Sequence, residues 1–131
     1  VITRCYEKML AASENNKEIS LIEHAQLDHA FHLAICQASH NQVLVFTLQS
    51  LTDLMFNSVF ASVNNPTIDT AKKQIDRQHA RIYNAVLQRL PHVAQRAARD
   101  HVRTVKKNLH DIELEGHHLI RSAVPLEMNL S

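Results

Sequence analysis

Four ionisable side chains interrupt the apolar stripes that helical periodicity predicts in this chain of 131 residues. Asp28 and His32 fall on one predicted helix, and His79 and His101 each fall on another. The apolar members of the three stripes are Leu21, Ala25 and Ile35, then Ile75, Ile82 and Val86, then Ala94, Ala97 and Val105. Burying an ionisable group away from water is costly unless another group pairs with it. The fold must therefore provide partners for these four groups.

A divalent metal ion is a common partner for one carboxylate and three imidazoles. Asp28 and His32 are spaced i, i+4, so their side chains lie on the same face of a helix. Simpler interpretations exist, because a single core histidine is more often hydrogen-bonded than metal-bound and an Asp–His pair can be a surface ion pair. Recurrence on three helices favours a shared metal site, and the alternatives stay open here. The remaining histidines on polar faces, expected to be solvated, are His24, His29, His40, His92 and His110.

The scarcity of helix-breaking residues predicts the fold class. The chain contains one glycine and three prolines, and its apolar residues recur three and four apart, which predicts long helices packed in an all-α bundle. The five predicted helices span residues 1–13, 20–39, 42–63, 70–90 and 91–116. The expected apolar seam of the third helix consists of Leu44, Leu48, Leu51, Met55 and Val59.

Several predicted helix ends carry recognisable signals. Residues 20–23 read SLIE, which has the form of a capping box, and Asn41 can cap the third helix. Pro91 fits the first turn of the fifth helix, where its missing N–H costs nothing. Gly116 is expected to end that helix.

Charge, hydropathy and cysteine content exclude several classes of protein. The 14 Lys and Arg residues against 13 Asp and Glu give a net charge of +1, which does not favour binding to nucleic acid or to a membrane surface. No apolar run is long enough to span a bilayer, and no signal peptide is visible. Cys5 and Cys36 give no disulfide framework, which favours the cytoplasm. Because the chain begins with Val1, we expect an upstream domain to be missing from it.

Three segments of the sequence match the motif spacing of one known family. Residues 28–41 read DHAFHLAICQASHN, residues 79–85 read HARIYNA, and residues 97–101 read AARDH. They resemble the D-x-x-F-H-x-x-I-x-x-A-S-x-N, H-x-x-I-x-x-A and A-x-x-x-H stretches of the FCD domain, the effector-binding domain of FadR-type GntR transcription regulators. The resemblance covers most of residues 1–119. Within the family it is greatest to the lactate-responsive regulators of lactate-utilisation operons.

The resemblance implies an antiparallel helical bundle that holds a divalent metal ion, with zinc in first place and nickel as the alternative. The implied metal ligands are Asp28, His32, His79 and His101. It also implies a small carboxylate effector at or beside the metal. A 2-hydroxy acid such as lactate suits this role, because its carboxylate and hydroxyl can chelate an ion. Asn57 and Ser58 on the third helix are the candidate effector contacts.

In full-length members of this family a winged helix precedes the FCD domain, and the protein binds operator DNA as a homodimer. This sequence shows no winged helix, so we expect DNA contact only through a domain absent from the chain. The first FCD helices are also expected to be missing, which leaves residues 1–119 as the ligand-binding domain and 120–131 as a C-terminal tail. Two alternatives remain: a metal-dependent helical-bundle enzyme, or a structural-metal and dimerisation module. The lack of an H-E-x-x-H motif and of a second carboxylate near the stripes argues against an enzyme.

Overall fold

Five helices make up the part of the chain that the computed structural model describes, which is residues 1–14, 20–61 and 68–123. For residues 21, 53–61, 68–69 and 117–123 the structure describes the backbone alone. The helices are α1 (Ile2–Glu14), α2 (Leu21–Ala38), α3 (Gln42–Ala61), α4 (Ile68–Leu87) and α5 (Pro91–Ala123). The predicted all-α class is confirmed, and so is the order of the five helices.

The predicted caps of α2 and α3 are confirmed by their hydrogen bonds. The Glu23 N–H donates to Ser20 Oγ at 3.2 Å, and the Ser20 N–H donates to Glu23 Oε2 at 3.0 Å, which completes a capping box. Asn41 Oδ1 accepts from the N–H groups of Val43 and Leu44 at 3.1 and 3.4 Å. These side chains satisfy donors that have no partner within the helix.

The prediction that Gly116 ends the last helix is wrong. Helix α5 continues through Gly116 to Ala123, so residues 120–123 of the expected tail are helical, and the rest of that tail lies outside the described residues. A glycine in a helix interior costs only about 1 kcal/mol relative to alanine, which a 33-residue helix can absorb. Nothing lies within 4 Å of the position a Cβ would take at Gly116.

Helices α2 and α4 are each followed, two residues after their last residue, by a residue with a left-handed backbone that is not glycine. His40 and Arg89 each have a φ of 56°. After α4, the Leu90 N–H donates to the Ala85 carbonyl at 2.9 Å and the Arg89 N–H donates to the Val86 carbonyl at 3.1 Å. These bonds satisfy the last carbonyl groups of α4 and turn the chain sharply into α5.

The hydrophobic core lies between α1, α2 and α4. Phe31 is completely buried, and it forms a cluster with Met9 and Ile82. Tyr6 of α1 stacks on Tyr83 of α4 with ring centroids 4.1 Å apart. Helix α1 packs against α2 and α4, α2 packs against α3, and α4 packs against α5. This order brings the inner faces of α2, α4 and α5 towards one another.

The predicted seam of α3 is only partly correct. Leu44 and Leu51 are 48% and 45% exposed, while Val45 is the buried residue of this helix within its described side chains. Val43 and Phe46 are also exposed. Leu48 of the predicted seam is half-buried, and the side chains of Met55 and Val59 lie outside the described residues. The buried face of α3 thus shares Leu48 with the predicted seam but is turned towards Val45. No helix in the described ranges is both long and apolar enough to cross a membrane.

Candidate metal centre

Three helices position the four ionisable side chains that the sequence singles out. Asp28 and His32 lie one turn apart on α2, His79 lies on α4, and His101 lies on α5. His79 and His101 are buried, with exposures of 2% and 6%. The side chains of His32 and Asp28 are 21% and 30% exposed. The cluster thus has a buried side, formed by α4 and α5, and a side on α2 that solvent can reach.

The four side chains converge in the folded chain. His79 Nε2 lies 3.1 Å from Asp28 Oδ1 and 3.1 Å from His32 Nε2, and His32 Nε2 lies 3.7 Å from Asp28 Oδ1. Potential ligand atoms of His32, His79 and His101 all lie within 4.8 Å of one another. Two ligand atoms bonded to one tetrahedral zinc ion are about 3.3 Å apart, given metal–nitrogen bonds of about 2.0 Å. The 3.1 to 3.7 Å spacing among Asp28, His32 and His79 is therefore in the range that a single ion requires, and His101 lies next to these three side chains.

The hydrogen-bonding capacity of His79 also fits a cation at this position. Its Nε2 faces both a carboxylate oxygen and another imidazole nitrogen, yet a neutral ring nitrogen offers either one proton or one lone pair. Its Nδ1 is buried with no hydrogen-bond partner. A shared cation would engage the carboxylate and the imidazole lone pairs together. The donor set of one carboxylate and three imidazoles suits zinc or nickel.

Burial and mutual contact set the protonation states of the cluster. Burial, helped by His79 and His32, lowers the pKa of His101 to about 3. Burial also lowers the pKa of His32, although the Asp28 carboxylate opposes this change. For Asp28, burial alone would raise the pKa, but the hydrogen bond with His79 and the neighbouring imidazoles hold the pKa below its ordinary value. At neutral pH the cluster thus offers an ionised carboxylate and imidazole lone pairs, which are the states that metal ligands need.

Three further side chains surround the cluster, and the sequence alone did not point to them. Phe31 packs against His32 and His79, with ring centroids 5.4 and 5.5 Å apart. Gln78 contacts His101 on its Nδ1 side, and Thr104 accepts a hydrogen bond from the Gln78 amide. The sequence positions of Gln78 and Thr104 could have indicated that they lie near the site, because Gln78 directly precedes His79 and Thr104 follows His101 by about one helical turn.

The other sequence predictions about polar residues concern the candidate effector contacts and the histidines that were expected to be solvated. The side chains of Asn57 and Ser58, the candidate effector contacts, lie outside the described residues. His29 was expected to be solvated, but it is partly buried, with its Nε2 3.3 Å from Thr52 Oγ1 on α3 and its Nδ1 unpartnered. His24 is also partly buried, whereas His92, His40 and His110 are exposed as expected. The contact between α2 and α3 covers His29.

Comparison with known proteins gives one family and two close relatives. The family model described as FCD domain matches residues 2–104. The chain is 95% identical over 132 aligned residues to the protein named Glc operon transcriptional activator in Escherichia coli strain K12, and equally to the protein of that name in Escherichia coli O6:H1 strain CFT073. Each match covers 100% of this chain and 52% of the relative, so the chain spans about half their length. No solved structure matches this chain.

Proposed function

This chain belongs to the FCD domain family, and on that premise we propose that it senses a small carboxylate effector through a bound metal ion. FCD domains are parts of transcription regulators, and both relatives carry the name of a transcriptional activator. The chain is therefore not an enzyme, as expected from the sequence. The proposal extends this assignment to the chemistry of the site and to the full-length protein.

The convergence of four metal-binding side chains is the observation that carries the proposal. Asp28, His32, His79 and His101 would hold the ion, with zinc first and nickel as the alternative. Three of them present ligand atoms between 3.1 and 3.7 Å apart, and His101 completes the set from α5. Burial lowers the pKa values of His32 and His101, which favours the neutral imidazoles that bind a metal ion. The buried Phe31 ring keeps water away from one side of His32 and His79.

The accessible side of the cluster suggests how an effector reaches it. Asp28 and His32 keep 30% and 21% of their side-chain surface exposed, while His79 and His101 are buried. An effector would therefore approach from the side of α2. With four protein ligands, a five- or six-coordinate ion would supply one or two further coordination positions for effector oxygens. Asn57 and Ser58 remain the candidate effector contacts on α3.

The proposed effector class is the 2-hydroxy acids, because a carboxylate and an adjacent hydroxyl can occupy two neighbouring positions. Lactate is the member that the sequence resemblance favours. The two relatives are named for the Glc operon, so the proposal covers the class and not lactate alone. A structural metal or a dimerisation module would show no preference among such acids.

For the whole regulator, we propose the change in DNA binding that membership of this family implies. In the full-length cytoplasmic homodimer, effector binding would favour one arrangement of the bundle and so change how the winged-helix domains engage DNA. A preference of a few kcal/mol for one arrangement is sufficient to shift the population. DNA contact would occur through the domain that this chain lacks.

Metal content is the first test of the site. We expect about one zinc or nickel ion per chain by elemental mass spectrometry, and its loss in an Asp28→Ala/His79→Ala variant. A His92→Ala/His110→Ala variant is the matched control, since both histidines are exposed on α5. Metal absent from the native chain after incubation with Zn²⁺ and Ni²⁺, or retained in the first variant, contradicts the proposed site.

Effector binding is the second test. Calorimetric titration of the metal-loaded chain should show that lactate and glycolate bind about tenfold or more tightly than propionate and acetate, which lack the hydroxyl. Removing the metal should abolish this difference. Equal binding of the hydroxy and unsubstituted acids, or binding that survives metal removal, would contradict a metal-assisted sensor.

A further inference from the structure

Gln78 connects α4 to α5 beside the cluster through two hydrogen bonds. Its Nε2 donates to Thr104 Oγ1 at 2.7 Å, and its Oε1 lies 3.1 Å from His101 Nδ1. An amide oxygen can only accept a hydrogen bond, so the contact with His101 is a hydrogen bond only when Nδ1 carries the ring proton. Gln78 is partly buried, and His101 is buried. The contact is therefore shielded from competition with water.

The position of this proton decides what His101 can do. A neutral imidazole carries one proton, and a proton on Nδ1 leaves the lone pair of Nε2 free. In the opposite tautomer, the Nε2–H would occupy the nitrogen that a metal ion needs. A histidine binds a metal ion as a neutral imidazole, so the choice between its two tautomers decides whether Nε2 is available.

We propose that Gln78, anchored by Thr104, is a positioning residue that holds His101 in its Nδ1–H tautomer and presents Nε2 to the metal site. This inference rests on the proposed metal site. Metal-bound histidines commonly donate their second N–H to an acceptor that fixes the ring. For His79, the described residues offer no such acceptor at Nδ1, which is buried without a partner among them. Of the two buried histidines, His101 is thus the one whose Nδ1 faces a side-chain acceptor.

The first arm of the test reads the tautomer directly in the metal-free chain. Nitrogen-15 NMR of the imidazole rings at pH 7 should show His101 protonated at Nδ1 in the native chain and in Gln78→Glu, which keeps an acceptor at this position. Gln78→Leu should lose this preference. Protonation of Nε2 in the native chain, or an unchanged tautomer in Gln78→Leu, overturns the proposal.

The second arm measures Zn²⁺ affinity by competition with a chelator. Loss of an outer-shell partner weakens metal binding about 10- to 100-fold, and we expect this for Gln78→Leu, with near-native affinity for Gln78→Glu. Gln74→Leu is the matched control, because Gln74 is exposed one turn earlier on α4. An affinity for Gln78→Leu within twofold of the native value, or an equal loss in Gln74→Leu, contradicts the positioning role.

Two controls distinguish a failure of this proposal from misfolding of a variant and from a failure of the proposed function. Circular dichroism checks that each variant is folded, and if Gln78→Leu is not, Thr104→Val carries the test because it removes only the anchor of the amide. If the native chain binds no Zn²⁺, the proposed function fails. The tautomer measurement then decides alone whether Gln78 sets the state of His101.

Discussion

At the residue scale, the cost of bringing ionisable groups together governs the site. Asp28 and three imidazoles share a small volume, and the folded state lowers the pKa values of His32 and His101, mainly through burial. Each lowered pKa means that the unfolded chain binds protons more readily than the folded chain in mild acid. The chain without metal should therefore be sensitive to pH through its site.

The sign of this pH dependence follows from the direction of the shifts. Below the ordinary histidine pKa of about 6.5, unfolded histidines bind protons while His101, with a folded pKa of about 3, does not, so stability falls as the pH falls from 6.5 towards 3. We expect the free energy of unfolding of the metal-free chain to drop by roughly 2 kcal/mol between pH 7.5 and pH 5 through His101 alone. Urea titrations at the two pH values measure this change.

Two variants make the pH prediction specific. His101→Gln should show a smaller loss of stability in acid, whereas His92→Gln should behave like the native chain, because His92 is exposed. The lowered pKa of Asp28 adds a further loss in the same direction below its ordinary value of 3.8. A stability that is independent of pH between 7.5 and 5 would be incompatible with a neutral buried His101.

At the element scale, the helix ends explain how a chain with one glycine makes sharp turns. The capping residues Ser20 and Asn41 start α2 and α3, as their sequence positions predict. The C-terminal ends are less regular, since His40 and Arg89 adopt the left-handed conformation that glycine adopts more easily. The hydrogen bonds that close α4 compensate for this local strain.

Replacing Arg89 with glycine should stabilise the chain. A left-handed backbone costs a residue with a Cβ about 1 kcal/mol, and glycine avoids most of this cost at the end of a helix. We expect Arg89→Gly to raise the free energy of unfolding by about 0.5 to 1 kcal/mol, measured by urea denaturation. Gln88→Gly, one residue earlier, should not stabilise the chain. Destabilisation by Arg89→Gly would mean that the Arg89 side chain matters more than its backbone.

At the scale of the whole molecule, the packing of five helices decides which apolar residues are buried. Phe31 of α2 is completely buried against α1 and α4 and also contacts His32 and His79 of the candidate site. Phe46 of α3 is 64% exposed, although both are phenylalanines on predicted helices. The core and the site thus share one residue, and a loss of packing at Phe31 should affect both.

Substitutions of these two phenylalanines should have very different effects. Phe31→Ala removes a fully buried ring and should destabilise the chain by about 3 to 5 kcal/mol, while Phe46→Ala should cost less than about 1 kcal/mol. Chemical denaturation of both variants, at equal chain concentration, measures the difference. Similar losses in both variants would mean that the exposed face of α3 is covered by another part of the protein in solution.

The sequence by itself determined the all-α class, the five helices, the caps at Ser20 and Asn41, and the spacing of Asp28 and His32. These features depend on contacts within three or four residues, which sequence order specifies directly. The buried face of α3, the continuation of α5 through Gly116 and the contact of Gln78 with His101 were decided by the tertiary structure. Each depends on how separate helices pack, and periodicity shows that a helix has an apolar face without showing which neighbour covers it.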